Sequence, residues 1–90
     1  MTSPVPLRRV AVDDELTIVT AASHRETLLA ALRDSPGVRI ELSGIPDLDT
    51  AGLQVLLLAR EEAARLHVPV EFSDPSPAVA EVLTLTGLVL

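Results

Sequence analysis

The stretch IPDLDTAGLQVLLLA, Ile45–Ala59, decides how this chain is read. It opens as a polar turn holding Asp47, Asp49, Thr50 and Gly52, and from Leu53 it is almost wholly aliphatic. A helix start leaves about four backbone N–H groups without partners and concentrates partial positive charge there. Asp49 and Thr50 are both residue types that cap such a start, so a helix is expected from about Thr50 to Leu66. Gly52 takes a side chain out of the first turn and lets another backbone or a phosphate come close. A phosphate on Thr50 would carry a charge of roughly −1.5 to −2 that the helix dipole favours, so the fold would tolerate it. A partner docked over the same spot would meet that charge directly. Asp47 and Asp49 would sharpen the repulsion toward an acidic partner surface.

Along the expected helix, Leu53, Leu56, Leu57 and Ala64 fall on one face, the one to pack on a sheet. Val55, Leu58 and Ala59 fall round the side, where a helix with a single apolar face has no need of them. Either a neighbouring helix, the third in sequence, covers them, or they form an exposed patch for a partner.

The flanking segments supply the sheet. VRIEL, Val38–Leu42, alternates strictly, with Val38, Ile40 and Leu42 facing one way and Arg39 and Glu41 the other. VPVEF, Val68–Phe72, alternates again, with Pro69 near its start. Nearer the N-terminus, Leu7–Val12 reads as a strand, Asp13–Glu15 as a turn, and the β-branched run Leu16–Thr20 as a second strand completing a hairpin. In SHRETLLAALR, Ser23 with Glu26 three residues on has the form of a capping box, and Leu28, Leu29 and Leu32 give one apolar face. DPSPAVAEVLTL gives a third helix, with Ser76 as cap, Pro77 at the first helical position and Gly87 as its end. Leu88–Leu90 has the length of a last short strand. The expected order is β-β-α-β-α-β-α, an α/β fold whose helices separate strands, which implies right-handed crossovers and a partly parallel sheet. Met1–Pro6, with two prolines, reads as a flexible tail, and residues 7–90 as one domain.

Composition narrows the function. Ninety residues, 48% of them hydrophobic, suit a globular chain with a modest core. Phe72 is the only aromatic, so few groups can stack on bases, sugars or flat cofactors. Net charge is −6, and all seven positive charges are arginine. An acidic chain without a basic block is a poor partner for nucleic acid and is repelled by anionic lipid head groups. The absence of Lys and Asn beside abundant Ala, Leu, Val, Arg and Pro points to a GC-rich, bacterial genome. Without cysteine there is neither a disulfide framework nor thiol chemistry. The N-terminus lacks the apolar core of a secretion signal. The run Leu53–Ala59 is far short of the ~20 residues that span a bilayer. A cytoplasmic protein with no membrane insertion is the default expectation.

The residues also speak against catalysis. His24 and His67 have no second histidine or cysteine at ligand spacing, and consecutive Asp13, Asp14 and Glu15 diverge in a turn, so no metal site is expected. There is no Gly-x-Ser-x-Gly nucleophile elbow and no glycine-rich phosphate loop. Asp47 and Asp49 lie two apart on a loop, one of them capping the helix. In REEAAR, Arg60–Arg65, Glu61 and Arg65 are spaced for an i,i+4 pair of ~0.3 kcal/mol on a solvated face. No cofactor is expected.

Over roughly Leu7–Leu90 the chain resembles a STAS domain, the module of anti-sigma factor antagonists and of sulfate-transporter tails. DTAGL, Asp49–Leu53, is similar to the family's Asp-Ser/Thr-small-Gly-Leu signature at the start of its second helix. SPAVAEVLTLTGL, Ser76–Leu88, resembles the family's third helix with its Ser-Pro opening and Gly-Leu ending, and the distance between the two segments is the family's. The resemblance implies a small mixed sheet with helices on one side and a binding role without enzymatic activity. It makes Thr50 the phosphoacceptor candidate, and it implies a partner-switching serine kinase, the anti-sigma factor, that binds the unphosphorylated form and supplies the ATP. The expected partner surface is Asp47, Asp49, Thr50, Ala51, Gly52, Leu53, Val55 and Leu58. The chain departs from the antagonists where they carry a Gly-Glu-Leu-Asp-like turn: Thr20–Ser23 reads TAAS. That departure puts kinase regulation in doubt and leaves docking intact. The alternative it favours is a constitutive STAS subunit of a bacterial lipid-transport ABC complex, contacting the ATPase at the signature threonine, or of a chemotaxis-linked signalling assembly.

Overall fold

The strictly alternating strand Val38–Glu41 lies at the centre of the sheet. In the computed structural model, which describes residues 6–90, Val38 and Ile40 are fully buried while Arg39 and Glu41 turn to the opposite face. The elements run β1 (Arg8–Ala11), α1 (Ala21–Asp34), β2 (Val38–Glu41), α2 (Thr50–Leu66), β3 (Val70–Ser73) and α3 (Pro77–Thr86). The sheet order is β1-β2-β3, and both pairings are parallel, with Val10 opposite Ile40 and Ile40 opposite Phe72. Helices between the strands return the chain each time to the same end of the sheet, which is why the strands run parallel. The tail expected over Met1–Pro6 lies, Pro6 apart, outside the described residues.

The two faces of the sheet differ in chemistry. One is covered by helices, and its core joins Leu28 and Leu32 of α1, Val38 and Ile40 of β2, Leu56 and Ala59 of α2 and Val79 of α3. The other carries charged side chains in register. Arg39 lies opposite Glu71 and its Nε donates to the Glu71 carboxylate at 3.1 Å. Arg9 pairs with Glu41 along the diagonal between β1 and β2.

Four local expectations are corrected. The hairpin does not form. Leu16 makes one isolated parallel bridge with Leu48, and Thr17–Thr20 is a turn. The cause is local bonding: the Thr20 hydroxyl donates to the Glu15 carbonyl at 2.7 Å and accepts from the Thr17 N–H at 3.2 Å. Threonine side chains that satisfy nearby backbone in this way compete with strand pairing. The same turn moves the start of α1 back to Ala21, with Thr20 at its N-cap, so Ser23 lies inside the helix rather than capping it. Leu88–Leu90 is not a strand; it follows the left-handed Gly87, and Arg60 donates to the Val89 carbonyl at 2.6 Å. Arg65 pairs with Glu62, one turn back at i,i+3, instead of Glu61.

The α3 boundaries are as expected. The Ser76 hydroxyl accepts from the Val79 N–H, Pro77 opens the helix and Gly87 closes it at φ 72°.

Candidate functional site

The signature turn sits beyond the C-terminal end of β2, at the start of α2. Asp49 is the N-cap, and its carboxylate has two separate partners. One oxygen accepts from the Gly52 N–H at 2.8 Å and the other from the Ile18 N–H at 2.9 Å. The second bond reaches 31 residues back along the chain and ties the Thr17–Thr20 turn to the helix start. The Leu16–Leu48 bridge reinforces the tie, because Leu16 N–H donates to the Asp47 carbonyl at 2.9 Å. These bonds to the ionised form, first from Gly52 and then from Ile18, hold the Asp49 carboxyl below its ordinary pKa.

Thr50 occupies the first helical position and is exposed, with Asp47 exposed beside it and Ala51 half-buried. The other expected surface residues divide. Leu53 and Val55 are 6% exposed and belong to the interior. Leu58 is half-buried one turn farther along. The apolar stripe of α2 runs Gly52, Val55, Leu56, Ala59, Ala63, so Ala59 is core and Ala64, expected on the sheet face, is exposed. It is α1, rather than α3, that packs along α2 and explains the aliphatic excess.

Gly52 serves a purpose other than the one expected. A Cβ there would lie 1.9 Å from the Leu16 carbonyl oxygen. The space left by the missing side chain is filled by the chain's own backbone, not held open for a partner or a phosphate. Gly52 lets the Leu16 segment lie against the first turn of α2.

That close approach creates a feature the sequence reading missed. Ile18 and Val19 stand 72% and 81% exposed at the tip of the turn, directly beside the α2 start. Next to them an open hollow of about 280 Å³ lies between Ile18, Ala21, Ala22 and Arg25 on one wall and Ala51, Gln54, Val55 and Leu58 on the other. The signal was present in the sequence as two threonines three apart flanking a β-branched pair, a pattern that suits a turn as well as a strand. The TAAS segment, where antagonists carry an acidic turn, forms the N-cap and first turn of α1 and contributes two alanines to this wall.

The family model described as "Mlab, STAS domain" matches residues 7–89. The chain belongs to the STAS domain family. Solved structures agree on the fold. An anti-sigma factor antagonist assignment from Thermotoga maritima superposes with a TM-score of 0.74 at 20% identity, covering 93% of this chain and 77% of that one. A serine-to-glutamate variant of Moorella thermoacetica RsbS gives 0.70 at 28% identity, covering 98% and 81%. The anti-sigma factor antagonist SpoIIAA in its unphosphorylated form gives 0.67 at 14% identity, covering 94% and 79%. No curated protein sequence matches significantly.

Among the described residues no group of three or more His, Cys, Asp or Glu side chains is placed to hold a metal ion. His24 Nε2 lies 3.5 Å from one Asp14 oxygen and is otherwise enclosed, while His67 is exposed at the left-handed C-cap of α2 with φ 57°. No described helix is long and apolar enough to cross a membrane.

Proposed function

We propose that this STAS domain is a non-enzymatic regulatory module that docks a protein partner through the N-terminus of α2, with Thr50 as contact and phosphorylation switch. The observation that carries the reading is Thr50 itself. It is exposed at the first position of α2 while Asp49 behind it is held by two backbone N–H groups, so the hydroxyl is presented on a fixed support. A phosphate there adds charge where Asp47 and Asp49 already lie. It is compatible with the helix start and repels a partner seated on it. Asp47 and Ala51 extend the contact and Leu58 continues it along the helix. Leu53 and Val55 act from the interior, by holding the helix in place. The partner class on this reading is an anti-sigma factor serine kinase, which would bring the nucleotide; the module works in the cytoplasm and needs no cofactor.

The test is Thr50→Glu. Partner binding is expected to be lost while the far-UV circular dichroism spectrum and melting temperature stay near wild type. Equal binding by the substituted protein removes Thr50 from the mechanism.

A second reading has its own support. The segment Thr20–Ser23, where antagonists carry an acidic turn, puts Ala21 and Ala22 on the wall of the hollow beside the α2 start, and the matching family description is Mlab. On this reading the domain is a constitutive subunit of a transport ATPase or a signalling assembly, and Thr50 is never modified. Mass spectrometry of protein isolated from its native host separates the two. A phosphorylated Thr50 pool favours the switch; a bare Thr50 in a stable complex with an ATPase subunit favours the constitutive role.

A further inference from the structure

Two adjacent β-branched side chains stand exposed at the tip of one turn, against the start of α2. Ile18 and Val19 are 72% and 81% exposed, yet their backbone is held firmly. The Ile18 N–H donates to Asp49, the Val19 N–H donates to the Thr17 hydroxyl oxygen at 3.3 Å, and the Thr20 hydroxyl closes the turn from inside. The knuckle is therefore preorganised, and a preorganised apolar group loses little freedom when it is buried by a partner.

Its flank toward Asp47 is acidic. The Leu16–Leu48 bridge is parallel and sets Glu15 beside Asp47, while Asp13 packs against Gly44 farther back. Asp13, Asp14 and Asp47 are exposed, and Glu15 and Asp49 are half-exposed. Arg25 of α1 lines the hollow on the same wall as Ile18 and is the cation there. An apolar knuckle with an acidic flank is complementary to an apolar pocket edged by arginine or lysine. It is not complementary to a second copy of this acidic surface.

We propose that Ile18–Val19 is the anchor of the docking surface, positioned by Asp49, and that it inserts into an apolar pocket of a protein partner whose rim is basic on the side facing Asp47 and Glu15. The inference rests on the docking reading above and adds the anchor and the chemistry of the partner. It also gives Asp49 a second task. The residue fixes the helix start and, through its other oxygen, sets the knuckle.

The experiment places a photo-crosslinking residue at position 19 of the full chain in its native host, and in a parallel strain at position 89, where Val89 is equally exposed but held beside Arg60, well along α2 from its N-terminus. The crosslinked peptide is identified by mass spectrometry, and affinity for that partner is then measured for Val19→Asp, Asp49→Asn and Thr50→Glu. Crosslinking from position 19 and not from 89, to a segment with apolar residues beside arginine or lysine, is the expected result. With it should come a loss of affinity of roughly tenfold or more for Val19→Asp and an association rate that falls as salt rises. Asp49→Asn keeps a cap-forming oxygen but has one acceptor in place of two. It should weaken binding in proportion to the solvent-exchange rate of the Ile18 amide, with the Leu16 amide unchanged. No crosslink at position 19, a crosslink to another copy of this chain, or a crosslink to an acidic segment would overturn the proposal. The two ideas fail separately. Lost binding in Thr50→Glu with normal binding in Val19→Asp leaves the switch standing and removes the anchor, and the reverse pattern keeps the anchor and removes the switch.

Discussion

At the scale of single residues, Asp49 and Gly52 show a signature serving the chain's own packing. Asp49 caps the helix as its residue type suggests and also bonds Ile18, whereas Gly52, read in sequence as room for an approaching molecule, is occupied by the chain itself. For Gly52 the competing effects can be weighed. Alanine in a helix is favoured over glycine by about 1 kcal/mol. A methyl group 1.9 Å from the Leu16 carbonyl oxygen, however, forces backbone apart, and overpacking of that kind costs about 1–3 kcal/mol or more. Gly52→Ala is therefore expected to destabilise on balance, and to weaken the Leu16–Leu48 bridge, read as lower urea resistance and faster exchange of the Leu16 amide. For Asp49 the consequence is in pH. Its folded-state pKa is depressed, first by the Gly52 N–H and then by the Ile18 N–H. Its contribution to stability is thus present in full above the ordinary aspartate pKa and is lost as pH falls through the depressed folded value. Asparagine does not titrate. The stability gap between wild type and Asp49→Asn should be widest near neutral pH and close in acid; a gap unchanged at low pH would mean that the charge of Asp49 does not matter to the fold.

At the scale of elements, what was legible in the sequence was whatever depended on period and on caps. VRIE shows its strand because burial alternates along it. Asp49, Ser76, Pro77 and Gly87 mark helix ends because backbone geometry admits few other residues there. The run Leu16–Thr20 was illegible for a physical reason. A β-branched residue is as compatible with an exposed turn as with a strand, and what decided between them was the Thr20 hydroxyl bonding to Glu15 and Thr17. The phase of α2 was mistaken by one position at its C-terminal end for a similar reason. Ala63 and Ala64 are identical in sequence, and only packing against α1 and the sheet makes Ala63 buried and Ala64 exposed. Of the residues expected at the partner surface, Asp47 and Thr50 are exposed. Val55 turns inward instead, and Ile18 and Val19, some thirty residues away in sequence, stand exposed beside the α2 start because Asp49 bonds the Ile18 N–H.

At the scale of the whole molecule, the sheet divides the energetics as it divides the chemistry. Leu56 is fully buried among the helices and strands. Truncating such a side chain costs about 2–5 kcal/mol. Against a total of roughly 5–15 kcal/mol for a domain, Leu56→Ala should remove a large part of the margin and lower the urea midpoint accordingly. On the opposite face, Arg39 and Glu71 meet at 3.1 Å, but their side chains are 43% and 57% exposed. An ion pair so open to water and salt contributes about 0–1 kcal/mol. Glu71→Gln should therefore shift the midpoint little, and the shift should vanish at high salt. The contrast bears on the proposed function because the N-terminus of α2 lies on the covered side, where α1 and α2 are packed together. Loosening Leu56 should disturb the relation of Ile18 to Thr50 before the protein unfolds globally, whereas loosening the charged face should not. Amide exchange at Ile18 in the two variants decides this. Faster exchange in Leu56→Ala and unchanged exchange in Glu71→Gln would show that the core beneath α2 holds the two halves of the site in register, while equal exchange in both would mean that the Asp49 carboxylate suffices alone.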